Sequence, residues 1–334
     1  MEENNQNFEF DFANGKFKNE SDATQIADRR ENSADVVKTN GLCKIYKDKL
    51  AVNDVYATIK KGDIYGLIGK NGAGKTTLFK LLLGLAKPNQ GTLELFGSSE
   101  NLLESRKKIG YLIEYPAFAA KLTAYENLKY LALQKGCFDD AKIRNLIDLV
   151  GLGGETTKKF SDYSLGMKQR LGIAFALLGE PELLILDEPV NGLDPEAIQA
   201  VRNLLIRLNR EKGMTILISS HLISELSKVA TCYGVMANGK LIKQITEDEL
   251  NETVKPYIKL MVDDTAKTVE VLKSMGATKI KLANSGTVFC FDILDKLTEV
   301  SKNLATAGVV IFSITEVDGD VENYFISLLG GATL

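Results

Sequence analysis

The sequence predicts an α/β core followed by a smaller α+β unit, and three observations carry that prediction. Between Asp35 and Asp248, short apolar, β-rich runs alternate with runs of helical period. One apolar run, Tyr65 to Ile68, ends in a glycine-rich loop that opens a helix. After about Glu247 the order changes to β-α-β-β-α-β.

In chain order, residues 1–34 are rich in Asn, Glu, Asp and Ser and keep no sustained period, which predicts a flexible N-terminal extension. Its Phe8, Phe10, Phe12 and Phe17 leave open a second role, docking on a partner as a short strand. The runs VVKTNGLCKIY, AVNDVYATI, DIYGLIG and TLELFG read as strands, and TTLFKLLLGL, ENLKYLALQKG and AKIRNLIDLVGL as helices, so residues 35–248 form one α/β domain. In residues 249–334, YIKLMV, TKIKLA, TVFCFDI and VVIFSITEV are strand-like. AKTVEVLKSMG, LDKLTEVSKNLATAG and VENYFISLLG are helix-like, and the whole reads as a ferredoxin-like accessory domain.

Hydrophobic residues make up 45% and charged residues 25% of the 334, ordinary globular usage with length for about two domains. Lys and Arg total 41 against 44 Asp and Glu, a net charge of -3 that gives no general attraction to phosphate backbones, so nucleic acid is not an expected partner. Cys43, Cys137, Cys232 and Cys290 form no CxxC pair and no cluster with the single His221; reduced thiols in a cytoplasmic protein are expected, and no metal cluster. The apolar stretches Leu78 to Ala86 and Leu171 to Leu178 fall short of the ~20 residues of a membrane span, and MEENNQNFEFDF is unlike a signal peptide.

The strongest chemical signal is DIYGLIGKNGAGKTTLFKLLLG, the pattern G-x-x-x-x-G-K-[ST] between a strand and a helix. Glycines let backbone N–H groups curl around phosphate oxygens, and the helix start adds a positive dipole end. Gly69, Asn71, Gly72, Gly74, Lys75, Thr76 and Thr77 are therefore candidate contacts to a nucleotide's phosphates. Lys75 is expected to reach the β- and γ-phosphates, and the Thr76 hydroxyl to ligate Mg²⁺. In PELLILDEPVNGLDP, Leu183 to Leu186 read as a buried parallel strand ending in Asp187 and Glu188, where open α/β sheets bind ligands. By themselves these would be surface acids closing a strand. Behind a phosphate loop, Asp187 suits Mg²⁺ through the ion's water shell, and Glu188 suits a group that polarises the attacking water. His221 ends the strand MTILISSH; a lone His is commonly a satisfied or solvated residue, but this one is placed to contact the γ-phosphate and hold the water in line.

The segments GKNGAGKTT, YSLGMKQR, LLILDEP, NGLDP and SSH, in that order over about Val36 to Asp248, resemble the nucleotide-binding subunit of an ATP-binding cassette (ABC) transporter. The resemblance implies a RecA-like P-loop NTPase core with an antiparallel β subdomain and a helical insert, and ATP and Mg²⁺ as ligands. It implies an ATPase at the cytoplasmic face of the membrane that drives a separate integral-membrane permease. It also implies a head-to-tail homodimer with two ATP molecules at its interface. There Ser164 and Gly166, in the signature segment Tyr163-Ser164-Leu165-Gly166-Met167, bind the γ-phosphate held by the opposite subunit. Tyr46 matches the position whose ring stacks on adenine, an ordinary strand aromatic being the alternative. Asp194 matches the loop that crosses the dimer interface, and Gly192 allows its turn.

The common signature is LSGGQ; here Leu165 adds a side chain and Met167 lacks the amide, while Ser164 and Gly166 remain, so catalysis is expected to survive. Glu114, in KIGYLIEYPAF, stands where most of the family has a Gln linking Mg²⁺ and the attacking water to the membrane partner. With IEYPAF and YSLGMKQRLGIA it resembles the bacitracin-resistance and lantibiotic-immunity branch of exporters. The aromatics Tyr115, Phe118, Tyr125 and Tyr130 either line the insert's groove for a permease helix or pack within the insert. The competing reading is a methionine-type importer whose C-terminal domain binds a regulator; that domain as a dimerisation platform is a third.

Overall fold

Apolar runs without alternation suit strands covered on both faces, and they form the interior of a parallel sheet. In the computed structural model, residues 10–11, 16–17, 33–47, 49–113, 118–284, 286–317 and 319–330 are described. The chain divides into two compact units, 1–247 with 328–334, and 248–327. The Phe-rich extension contributes β1 (Phe10–Asp11) and β2 (Lys16–Phe17), paired antiparallel with Phe10 opposite Phe17. Phe8 and Phe12, and the flexibility expected of the rest of the extension, fall outside the described residues.

In the first unit, β3 (Asp35–Tyr46), β4 (Lys49–Lys60) and β6 (Gln90–Leu95) make an antiparallel sheet in the order β4-β3-β6. The larger sheet contains β5 (Ile64–Ile68), β7 (Ile109–Leu112), β8 (Leu183–Asp187), β9 (Thr215–Ser220), β10 (Cys232–Ala237) and β11 (Lys240–Thr246). Its order is β11-β10-β5-β9-β8-β7, parallel except for the β10–β11 pair. Every residue of β5 and β9 is buried, as are Leu183 to Leu186, which holds the C-terminal ends of three neighbouring strands side by side. Helix α1 (Lys75–Leu82) seats Leu78, Phe79, Leu81 and Leu82 in this core; each such burial contributes about 1.5–3 kcal/mol.

Helices α2 (Leu102–Lys107), α3 (Ala124–Lys135), α4 (Asp140–Leu149), α5 (Leu165–Ala176), α6 (Pro195–Lys212) and α7 (Ile223–Leu226) complete the unit. Helix α3 begins two residues before the predicted run ENLKYLALQKG because a capping box starts it: Thr123 Oγ1 accepts from Glu126 N, and Glu126 Oε2 accepts from Thr123 N at 2.8 Å. Gly136, at φ 70, ends it in the left-handed region. Among the described residues, no helix is long and apolar enough to cross a membrane.

Helix α8 (Glu247–Thr253) precedes β12 (Tyr257–Val262), α9 (Thr265–Ser274), β13 (Ile280–Asn284), β14 (Thr287–Cys290), α10 (Leu297–Thr306), β15 (Ile311–Val317) and α11 (Val321–Leu328). The four strands form an antiparallel sheet in the order β13-β14-β12-β15. Alternate residues Ile258, Leu260 and Val262 share its core with Leu272, Val288, Cys290, Val300 and Leu304. Asp292 ties the segment before β13 to the end of β14: its Oδ2 accepts from Thr278 N at 2.6 Å, Thr278 Oγ1 at 2.8 Å and Lys279 N at 2.9 Å. Desolvation favours the neutral acid, but the donors of Thr278 and Lys279 outweigh it and hold the carboxyl down at about 2.

A carboxyl depressed below its unfolded value of ~3.9 contributes stability that is full above that pH and is lost as pH falls through the folded value of about 2. Asp292→Asn is therefore expected to lower the melting temperature of the second unit by about 5 °C at pH 7. The gap from the wild type should shrink as pH falls across that acid window, as read by hydrogen exchange at β13 and β14.

Candidate active site

The site is assembled where β5, β9 and β8 end. Beyond Ile68, Gly69 packs tightly: a Cβ there would lie 2.5 Å from the Met236 carbonyl oxygen. Gly74 caps α1 at φ 109, and a Cβ on it would meet the Ala51 carbonyl oxygen at 2.4 Å. Two glycines are thus required by close backbone approach. Asn71 and Gly72 lie exposed at the loop tip, and Thr76 and Thr77 are half-buried in the first turn of α1.

Lys75, only 6% exposed, turns back along the loop, donating from Nζ to Gly69 O at 2.6 Å with Glu188 Oε1 3.2 Å away. Across the sheet, Thr76 Oγ1 donates to Asp187 Oδ2 at 2.6 Å. Ser219 Oγ donates to the other oxygen, Asp187 Oδ1, at 2.5 Å and accepts from Glu188 N at 2.9 Å. Glu188 leaves the strand at φ 49, left-handed for a non-glycine residue, and its Oε2 lies 2.7 Å from His221 Nδ1 and accepts from His221 N at 3.4 Å. Its Oε1 is buried with no hydrogen-bond donor; the Lys75 ammonium beside it is an ion-pair contact outside hydrogen-bonding alignment. That oxygen keeps an acceptor site open toward the loop.

The hard oxygen donors Thr76 Oγ1 and Asp187 Oδ2, 2.6 Å apart at the loop, fit a Mg²⁺ ion that keeps several waters and takes its other ligands from phosphate. Among the described residues, no group of three or more His, Cys, Asp or Glu could hold a metal ion by itself.

A model of the ABC transporter family matches residues 52–191. The bacitracin transport ATP-binding protein BcrA of Enterococcus faecalis is 42% identical over 298 residues, 89% of this chain and 97% of the relative. The chain belongs to the ABC transporter ATP-binding proteins. These cassettes hydrolyse ATP. BcrA of Bacillus licheniformis is 39% identical over 302 residues, covering 90% of this chain and 99% of its own. The lantibiotic transport ATP-binding protein SrtF of Streptococcus pyogenes is 42% identical over 207 residues, 62% of this chain and 89% of that one. Among solved structures, cbiO1 of Clostridium perfringens, described as part of the ABC transporter complex cbiONQ, matches with a TM-score of 0.59 and 28% identity over 66% of this chain and 93% of that one.

Within the cassette, Gly69, Lys75, Thr76, Asp187, Glu188 and His221 meet in one place. Asn71, Gly72, Gly74 and Thr77 belong to the same loop and helix start, while Tyr46, Ser164, Gly166 and Asp194 make contacts of their own. Tyr46, 44% exposed, closes β3 with the Lys44 ammonium 4.9 Å from its ring centre. Ser164 caps α5 through its hydroxyl, which accepts from Met167 N at 3.3 Å, and Leu165 beside it is 41% exposed. Gly166 is buried under α6: a Cβ would lie 2.6 Å from the Ala197 Cβ. Burial also pushes the Tyr163 phenol up, with Glu155 adding to it. Asp194 caps α6, Oδ1 accepting from Ala197 N at 2.8 Å, and Gly192 turns at φ 73. Glu114 and Tyr115 fall outside the described residues.

Of the insert aromatics, Phe118 packs inward on Phe160 and Phe175 at 5.0 and 6.2 Å. Tyr125 is bonded to Asp140, while Tyr130 is 59% exposed. Ser219 had no role in the motif reading, although a serine pair inside a buried apolar strand just before the only histidine is a signal that could have found it.

Gly74→Ala forces a Cβ into backbone at a left-handed φ and is expected to cost about 2–4 kcal/mol and to abolish measurable ATP binding. Gly72→Ala, at φ 81 with open space around it, should cost only about 1 kcal/mol. Thermal unfolding and nucleotide titration of the pair read the difference.

Proposed function

We propose that the protein is the ATPase of an exporter, coupled to a separate integral-membrane permease and serving efflux of, or immunity to, a peptide antibiotic of the bacitracin or lantibiotic kind. The observation that carries this reading is the extent of the likeness to the E. faecalis bacitracin transport protein: 298 aligned residues exceed the 1–247 unit and so run into the second. A methionine-type importer is not favoured, because the resemblance that extends past the cassette is to bacitracin transport proteins. The sheet order β13-β14-β12-β15 supports reading residues 249–334 as a ferredoxin-like accessory domain behind a cassette of residues 35–248. In this reading the chain works at the inner face of the membrane, held there by the permease.

In the catalytic cycle, the loop from Gly69 through Asn71, Gly72 and Gly74 wraps the phosphates with backbone amides, joined by Lys75 and the first-turn hydroxyls of Thr76 and Thr77. Tyr46, exposed at its strand end, stacks on the adenine. Thr76 and Asp187 would hold Mg²⁺, and Glu114 would join them by its place in the sequence motif; the ion would supply charge neutralisation on the β- and γ-phosphates. Glu188 orients the water through its open Oε1, and His221, anchored by Nδ1 to Glu188, steadies the γ-phosphate side. Ser164 and Gly166 of a second copy close over the γ-phosphate, and Asp194 lies at the same interface. ATP favours the closed homodimer because the γ-phosphate supplies contacts that the open state lacks.

Glu188→Gln is expected to bind ATP within about threefold of wild type, to turn over more than ~100-fold more slowly, and to run as a dimer in ATP. Near-normal turnover would remove Glu188 from the role. Tagged Glu188→Gln protein purified from detergent-solubilised membranes should bring down a polytopic permease without a cassette of its own. Capture of a solute-binding protein would instead favour import.

A further inference from the structure

We infer that Ser219 is a positioning residue for hydrolysis, its buried hydroxyl holding both carboxylate residues of the β8 end in working orientation. This rests on the reading of Asp187 and Glu188 just given. Ser219 is fully buried in the middle of a sheet, in a strand where Ile216, Leu217 and Ile218 are apolar and equally buried. Packing alone would place another aliphatic residue there. A hydroxyl in such a position costs stability unless it is fully bonded.

The bonding explains the choice. A hydroxyl has one proton and two lone pairs. Ser219 commits its proton to Asp187 Oδ1 at 2.5 Å and a lone pair to the Glu188 N–H at 2.9 Å. Asp187 lies directly opposite Ser219 in the last paired row of β8 and β9. One step later Glu188 turns to φ 49 and leaves the strand, so its amide takes a side-chain acceptor from the neighbouring strand. With Thr76 on Oδ2 and Ser219 on Oδ1, the carboxylate of Asp187 is held at both oxygens. The same hydroxyl anchors the backbone from which the Glu188 carboxylate reaches Lys75 and His221. Ser219 therefore couples the residue that faces the metal to the residue that faces the water. With its proton and a lone pair committed to these two residues, it acts through them.

Ser219→Ala removes both bonds and leaves the half-buried Glu188 N–H and Asp187 Oδ1 each short of a partner. The expected result is a kcat lowered about tenfold or more with KM for ATP within about twofold, because loop contacts to the nucleotide remain. Mn²⁺ binding in the presence of a non-hydrolysable ATP analogue, followed by electron paramagnetic resonance, should weaken about fivefold. Ser219→Thr keeps the hydroxyl and should restore kcat and Mn²⁺ affinity to within about threefold. If the alanine variant does not fold, Ser219→Cys, similar in volume but a weaker donor, should still give a kcat and Mn²⁺ affinity below those of both wild type and Ser219→Thr.

Wild-type kcat and Mn²⁺ affinity in Ser219→Ala or Ser219→Cys would overturn the inference, as would equal impairment of the alanine and threonine variants. Failure of the wild-type protein itself to bind Mn²⁺ with nucleotide would instead overturn the site assignment on which it rests.

Discussion

A buried ammonium must be paired within the fold, and much of this site is arranged around that demand at Lys75. Leaving such a charge unpaired costs several kcal/mol. The loop carbonyl of Gly69 supplies one partner at 2.6 Å, and the Glu188 carboxylate supplies the counter-charge. Glu188 is in turn fixed by His221 and by the hydroxyl of Ser219, and Asp187 by Thr76 and the same hydroxyl. One connected network of the protein's own groups therefore spans the phosphate loop and two strand ends. Such preorganisation lets a cassette meet the charge of a transferring phosphoryl group with little rearrangement.

The sheet makes that network possible. Strands β5, β8 and β9 are adjacent and parallel, so three unrelated stretches of sequence deliver their chemistry to the same edge. Residues expected to act from a second copy have local work as well. Ser164 and Asp194 each cap the helix they precede, and Gly166 lets α5 approach α6. These roles are compatible: a cap that fixes a helix start also fixes where its first N–H groups point.

Much of this was legible in the sequence because its determinants are local. A strand, a glycine loop and a helix in succession can be read from one window, and apolar runs ending in Asp-Glu or Ser-Ser-His announce buried strands with polar ends. What escaped reading depends on partners distant in the chain. Nothing near Ser219 says that its hydroxyl faces Asp187, because the β8–β9 register settles that. Gly166 was read for phosphate contact, whereas its packing reason lies at Ala197 on another helix. For Phe118 the sequence leaves groove lining and packing within the insert both open; its ring contacts with Phe160 and Phe175 favour packing, and periodicity within the insert could not disclose them. The start of α3 was missed by two residues because the capping box, not the apolar period, sets it.

The dependence of catalysis on the buried ammonium is tested most directly by steady-state ATP hydrolysis of the full chain carrying Lys75→Met, which keeps the stem and deletes the charge, with circular dichroism to verify the fold. The account predicts a folded protein whose hydrolysis is slower by more than ~100-fold. A folded variant that hydrolyses ATP within about threefold of wild type would contradict it.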